Sequence, residues 1–140
     1  MIWWYIGNII LFIAIGIAEG FLWHNNVNKL TKKQARKLHI PLVAIRCIWF
    51  GIVAYFADIP TMLGLVFCYP FWHLGVLYQT RHLLNKKIYK KGFFDVASTS
   101  STSVIDNLFP IYFDVRLLLL VFGTFIFFDW NWYEIFGSTN

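Results

Sequence analysis

The sequence predicts an all-α membrane protein with four transmembrane helices, and three observations predict it. The chain is 59% hydrophobic and only 14% charged, whereas soluble domains usually carry about 25% charged residues. Its apolar residues form long blocks, and a helix of about 20 such residues crosses a bilayer. The basic residues outside these blocks are concentrated in two of the connecting segments. Residues 1–140 are therefore expected to form a single four-helix bundle domain in a membrane.

The four predicted spans follow one another along the chain. The first, residues 2–23, contains a single ionisable group, Glu19, and lacks the basic start of a signal peptide. We interpret it as a retained membrane helix. The second and third spans, residues 41–57 and 61–80, are separated by a short turn, and the fourth covers residues 111–136.

The distribution of Lys and Arg predicts the orientation of these spans. The connecting segments 24–40 and 81–110 are basic, while the turn at 58–60 contains neither Lys nor Arg. Short basic loops stay in the cytoplasm, so both termini are expected outside, and the expected location is a bacterial inner membrane. The positive charge also predicts contact with anionic lipids of the inner leaflet. No nucleic-acid partner is expected, because no nucleic-acid-binding motif accompanies the charges.

Polar residues inside the spans are the first candidates for function. Asn8 and Glu19 are close to three helical turns apart, so they share one face of the first span. Arg46 of the second span has two interpretations: it extends to the interface, or it pairs with Glu19 at a similar depth. Pairing is favoured, because an unpaired carboxylate inside the membrane is costly. In the third span Pro70 predicts a kink, and His73 follows about one turn later.

A larger polar set is predicted to gather in the cytoplasmic half of the protein. The main candidates are Glu19, Arg46, His73, Tyr78 and Arg81, and the secondary ones are His24, His39, His82, Asp106 and Asp114. If these side chains converge, they form a polar pocket open to the cytoplasm. The simpler interpretation of those at helix ends is solvation or contact with lipid headgroups. For Glu19 and Arg46 the simpler interpretation is an ion pair that fixes how the helices align.

Metal and haem sites deserve consideration because imidazole and carboxylate groups are common metal ligands. The chain has no HxxxH, HExxH or ExxH spacing, so local spacing places no two ligands on one helix face. We therefore predict no metal ligand and no cofactor, with haem or a divalent metal as the alternative. Catalysis without metal would require a nucleophile beside a base. No spacing in the sequence indicates such a pair of nucleophile and base. An enzyme is therefore less favoured than a binding protein.

Smaller local patterns complete the predicted architecture. Gly16 and Gly20 allow close approach by another span or by a second copy of the chain, so a homo-oligomer or a subunit of a larger complex both stay open. Pro41 is expected in the first turn of the second span. Residues 86–92 are expected to continue the third span as an amphipathic helix. The start of the fourth span has two interpretations: an early start buries Asp114 and Arg116, whereas a later start, which is favoured, leaves both at the inner interface with Arg116 as the anchor.

One segment resembles a known group of proteins. His73 and Arg81, followed by FFDVASTSSTSVIDNLF at residues 93–109, resemble a motif in short uncharacterised membrane proteins of bacterial viruses and their hosts. Where that motif enters the Ser/Thr stretch with tyrosine and glycine, this chain has Asp95 and Val96. The resemblance implies four helices and no known activity, and it assigns no functional residue.

The function expected from these patterns is binding. The sequence favours a small integral membrane protein that binds a ligand, a lipid headgroup or a protein partner through a cytoplasm-facing polar pocket. Glu19 and Arg46 are expected to form a buried pair, and His73 to be the titratable contact. Arg81 and the lysines of residues 86–91 are expected to hold an anionic lipid or a phosphate group.

The alternative is a membrane-embedded enzyme that acts on a lipid or isoprenoid at the inner interface. In that case His73, Asp106 and Asp114 would supply acid–base groups or metal ligands.

Overall fold

The computed structural model describes residues 2–26, 29, 31–90, 92–94 and 113–136, and its regular structure in these ranges is entirely helical. The elements in chain order are α1 (Ile2–Asn26), α2 (Lys32–Phe56), α3 (Ile59–Tyr69), a π-helical turn (Pro70–Leu74), α4 (Gly75–Leu84) and α5 (Phe113–Phe136). The prediction of an all-α chain is confirmed for the residues that the structure describes.

Three helices are long and apolar enough to cross a membrane. They are Ile2–Asn26, Lys37–Phe56 and the continuous helix Ile59–Leu84, which comprises α3, the π-helical turn and α4. These lengths and compositions indicate a membrane protein. The fourth predicted span overlaps α5, which packs against α3.

Helix α2 begins earlier than its apolar pattern predicts. The Thr31 hydroxyl accepts a hydrogen bond from the backbone N–H of Gln34, and the Gln34 side chain accepts one from the N–H of Thr31. This capping box starts the helix within the basic segment. The expectation that Pro41 lies in the first turn of the second span is therefore wrong, because Pro41 is inside α2.

Helix α4 ends at Leu84, because the next residue starts a turn. The Asn85 side-chain oxygen accepts hydrogen bonds from the backbone N–H groups of Lys87 and Ile88, at 3.1 and 3.2 Å. Asn favours turns through bonds of this kind. The predicted helical continuation into residues 86–92 is therefore wrong. The turn brings Tyr89 back onto the helices, where it is buried.

The continuous helix Ile59–Leu84 is the central element of the fold. Its first part, α3, packs against α2 and α5, and its last part, α4, packs against α1. Glycines bring these helices close together. A Cβ on Gly64 would lie 2.9 Å from the carbonyl oxygen of Gly123, and a Cβ on Gly16 would lie 2.7 Å from the carbonyl oxygen of His73. The small-residue face of α1 is thus occupied by the third apolar helix of the same chain.

One cluster of buried hydrophobic residues joins the four long helices. It consists of Phe12, Val53, Leu65 and Phe127, one from each of α1, α2, α3 and α5. Val53 and Leu65 are the members nearest in sequence to the turn between α2 and α3. Glu19, which is also buried, lies on the C-terminal side of Phe12 along α1.

Candidate functional site

One face of α1 carries its buried residues. They are Asn8, Phe12, Gly16, Glu19 and Gly20. Their spacing of three and four residues is that of a single helix face, as predicted for Asn8 and Glu19. Both polar side chains on this face reach α2. The Asn8 side-chain oxygen accepts a hydrogen bond from the indole N–H of Trp49 at 2.9 Å, and Glu19 meets Arg46.

Glu19, Arg46 and His73 come together from three separate helical segments, and we call them the Glu19 cluster. The Arg46 guanidinium donates a hydrogen bond from Nη2 to Oε1 of Glu19. His73 Nε2 lies 3.4 Å from Oε2 of Glu19 and 3.5 Å from Nη2 of Arg46. Glu19 is 5% exposed and His73 1%, whereas the Arg46 side chain is 21% exposed. Arg46 is therefore the residue of the cluster that is accessible from outside the packed helices.

Two local features position His73 against Glu19. Pro70 has no backbone N–H to donate, and the helix changes there to the π-helical turn Pro70–Leu74, which contains His73. The irregularity lies where the sequence predicts a kink. Because Gly16 has no side chain, the backbone of this turn approaches α1 about one helical turn from Glu19. Single π-helical turns often occur at functional sites.

An aromatic ring flanks the Glu19 cluster. The Tyr69 ring stacks on the His73 imidazole, with centroids 4.5 Å apart and planes inclined by 14°. The guanidinium carbon of Arg46 lies 5.5 Å from the centre of the same ring. The sequence did not single out Tyr69, and its only signal is its place beside Pro70, one turn before His73.

Three polar atoms around this cluster are buried and lack a hydrogen-bond partner within the described part of the chain. They are His73 Nδ1, Arg46 Nε and the Tyr69 hydroxyl. Buried polar groups in native proteins are normally hydrogen bonded. These atoms can therefore bind a polar group that enters the cluster.

A second polar group lies where α1 and α4 end, and we call it the helix-end cluster. It consists of His24, Arg81, His82 and Tyr89. The guanidinium carbon of Arg81 lies 4.3 Å from the centre of the Tyr89 ring, and the His24 ring meets that ring edge-on at 6.0 Å. His82 Nδ1 lies 2.8 Å from the carbonyl oxygen of Tyr89. Tyr89 was not predicted, because it joins this group only through the turn at Asn85.

Arg116, the expected anchor of the fourth span, lies three residues after the start of α5. The residue is fully buried, and its Nη2 donates a hydrogen bond to the Phe93 carbonyl oxygen at 2.6 Å. Its guanidinium carbon lies 6.0 Å from the ring centre of Tyr78 and 5.7 Å from that of Phe93. Cations are attracted to aromatic faces at such distances. Tyr78 therefore lies near the Arg116 guanidinium of α5.

The remaining predicted candidates lie elsewhere. His39 stacks on Trp23, with ring centroids 4.4 Å apart, and forms a further link between α1 and α2. Asp114 is exposed on the first turn of α5. Asp106 lies outside the described residues. Among the residues that the structure describes, no three His, Cys, Asp or Glu side chains gather to hold a metal ion.

Comparisons with protein-family models, with curated proteins and with solved structures find no match for this chain. The resemblance of residues 73–109 to short viral and bacterial membrane proteins stays a prediction. The function is therefore argued from the two clusters themselves.

Proposed function

We propose that the chain is a four-span protein of a bacterial inner membrane, with α5 as the fourth span and both termini outside. The apolar character of α5 and its packing along α3 support a fourth span. The basic residues beyond the ends of α1 and α4 support the orientation, since short basic loops stay in the cytoplasm.

Cysteine labelling tests this topology. In a chain with Cys47 and Cys68 replaced by Ser, a membrane-impermeant maleimide added to intact spheroplasts should label Ile59→Cys and Ser138→Cys. It should label Lys86→Cys only after permeabilisation. Labelling of Ile59→Cys together with protection of Ser138→Cys would show that α5 does not cross the membrane.

Within this topology we propose that the protein binds a polar ligand, with the headgroup or ester region of a lipid as the favoured class, at the Glu19 cluster. The observation that carries the proposal is the meeting of Glu19, Arg46 and His73 from three helical segments inside apolar helices. Ionisable groups within a membrane are costly and mark functional sites. Glu19 lies seven residues before the end of α1, or about 10 Å along the helix, a depth that lipid ester groups can reach.

The chemistry of the cluster favours a ligand with oxygen acceptors. The Glu19 carboxylate offsets the positive charge of Arg46, so a strongly anionic ligand gains little electrostatic attraction from Arg46. The Nε–H of Arg46 and the hydroxyl of Tyr69 are donors without partners among the described residues. The partial exposure of the Arg46 side chain gives a route of entry. An ester or a carboxyl group fits these donors.

Native mass spectrometry of the purified protein, incubated with a bacterial polar lipid extract in detergent, tests the proposal. The wild-type chain should retain a bound lipid, and Arg46→Lys should lose it, because Lys keeps the charge but lacks the Nε–H and the planar fork. The matched control is Trp49→Phe, which removes the hydrogen bond between Trp49 of α2 and Asn8 of α1. Equal lipid retention by Arg46→Lys and wild type, or equal loss in Arg46→Lys and Trp49→Phe, would mean that the cluster only joins helices.

A membrane-embedded enzyme is the second candidate, and one observation favours it. His73 lies in a π-helical turn, its Nδ1 has no partner in the described ranges, and its Nε2 faces a carboxylate. A carboxylate that orients an imidazole is a common arrangement for general acid–base catalysis. Incubation with the same lipid extract, followed by lipid mass spectrometry, should then show a product that His73→Gln does not form. If no product appears, the binding proposal is favoured.

A further inference from the structure

We propose that the helix-end cluster is a phosphate-binding site, which takes a phosphate group from a lipid headgroup or free in solution. The site lies at the ends of α1 and α4, separate from the Glu19 cluster, and does not depend on what that cluster binds. Two observations carry the inference: an arginine held in place by an aromatic ring, and buried polar atoms without partners beside it.

Arg81 supplies the charge of the site. Its guanidinium packs on the Tyr89 ring at 4.3 Å, which fixes the plane of the guanidinium group. Within the described ranges neither ion pair of the structure involves Arg81, and its Nε is buried without a hydrogen-bond partner. A planar arginine that pairs with no carboxylate of the described residues suits phosphate, whose oxygens can accept two parallel hydrogen bonds from it.

Tyr89 and His24 supply the hydrogen-bonding groups around Arg81. Tyr89 is only 6% exposed, and its hydroxyl has no partner within the described part of the chain. The same holds for His24 Nδ1, and the rings of these two residues are in contact. Native structures rarely leave such atoms unpaired in one place. A phosphate offers acceptor oxygens to the tyrosine O–H, to an imidazole N–H and to the guanidinium together.

The surroundings of the cluster are electrostatically suited to an anion. Residues 81–94 contain five Lys or Arg and no Asp or Glu, and Asp95 is the next acidic residue along the chain. Three lysines of this segment are exposed, namely Lys86, Lys87 and Lys90. The lysines attract anions diffusely. Arg81 and Tyr89 provide the fixed geometry that distinguishes a site from a basic surface.

Two binding measurements test the inference and separate the two sources of phosphate. The full chain in dodecyl maltoside micelles, which contain no phosphate, is titrated with inorganic phosphate, and retention of phosphatidic acid added to the same micelles is measured. Arg81→Gln should weaken binding about tenfold or more, and Tyr89→Phe about threefold or more, because both remove hydrogen bonds to a charged group. Lys37→Gln is the control, since it removes one exposed charge from α2, outside the helix-end cluster. It should change binding less than about twofold.

The outcomes are distinct. Binding of both probes, or of one of them, with the predicted loss in Arg81→Gln and Tyr89→Phe supports the site and identifies the source of the phosphate. If Lys37→Gln weakens binding as much as Arg81→Gln, the anion is attracted diffusely and the inference is wrong. Tyr89→Phe keeps the ring under Arg81, so unchanged binding in this variant also overturns the proposed geometry. Failure to bind either probe overturns the inference and leaves the lipid test at the Glu19 cluster unaffected.

Discussion

The close contact between Gly16 and the π-helical turn offers the most direct test of the architecture. A Cβ at position 16 would lie 2.7 Å from the His73 carbonyl oxygen, about 0.7 Å short of the 3.4 Å at which ordinary contact begins. The neighbouring atoms are backbone or the Cβ of Val76, so no flexible side-chain end can move aside. Gly16→Ala should therefore push α1 away from α4. Overpacking of this kind costs about 1–3 kcal/mol.

Gly7 on the same helix is the matched control, because a Cβ there meets nothing within 4 Å. Both alanine variants gain up to about 1 kcal/mol of helix propensity. The difference between their unfolding free energies therefore reports the cost of the close contact alone. Gly16→Ala should be about 1–3 kcal/mol less stable than Gly7→Ala, measured by unfolding in mixed micelles followed by circular dichroism. It should also lose lipid at the Glu19 cluster, since His73 moves away from Glu19. Equal stability of the two variants would refute the packing of α1 on α4.

Three other predictions concern single contacts. Arg46→Met should cost about 3–5 kcal/mol of unfolding free energy, because Glu19 stays buried without the arginine charge and with only the His73 imidazole beside it, and adding Glu19→Gln should recover much of that loss. If the effects of Arg46→Met and Glu19→Gln on the unfolding free energy were additive, the two residues would not interact. Gly123→Ala should be less stable than Gly51→Ala in the same unfolding assay, because its Cβ would lie 2.8 Å from the Phe67 Cβ, whereas position 51 is open. Equal stabilities would argue against close packing of α3 on α5. Thr31→Ala should cost about 1 kcal/mol and speed hydrogen exchange in the first turn of α2, while Thr31→Ser should not. Unchanged hydrogen exchange in Thr31→Ala would show that Thr31 does not cap α2.

The pairing of Glu19 with Arg46 could be predicted from the sequence because membrane physics leaves few alternatives. Each charge lies in an apolar helix, where it needs a partner, and the spans place the two residues at similar depths. Helix periodicity likewise places Asn8 and Glu19 on one face. These inferences need only the rise of a helix and the cost of an unpaired charge.

The helix-end cluster could not be predicted by the same reasoning. Its key residue, Tyr89, lies in a segment whose pattern suggested a continuing helix, and Asn85 reverses the chain there through two local hydrogen bonds. The contact that Arg116 makes could not be predicted for a related reason. Its partner, the Phe93 carbonyl, comes from the same returning segment, and no spacing along α5 indicates it.

The sequence by itself determined the helical class and the polar residues within the apolar segments, because hydrophobicity and helix periodicity are local properties of the chain. Of its four predicted spans, three correspond to helices that the structure shows to be long and apolar enough to cross a membrane. The tertiary structure decided which polar residues meet. The close approach at Gly16 set His73 beside Glu19, and the turn at Asn85 placed Tyr89 under Arg81. The close approach depends on packing between helices that are distant in sequence. The turn depends on local hydrogen bonds to Asn85, which the hydrophobic pattern does not reveal.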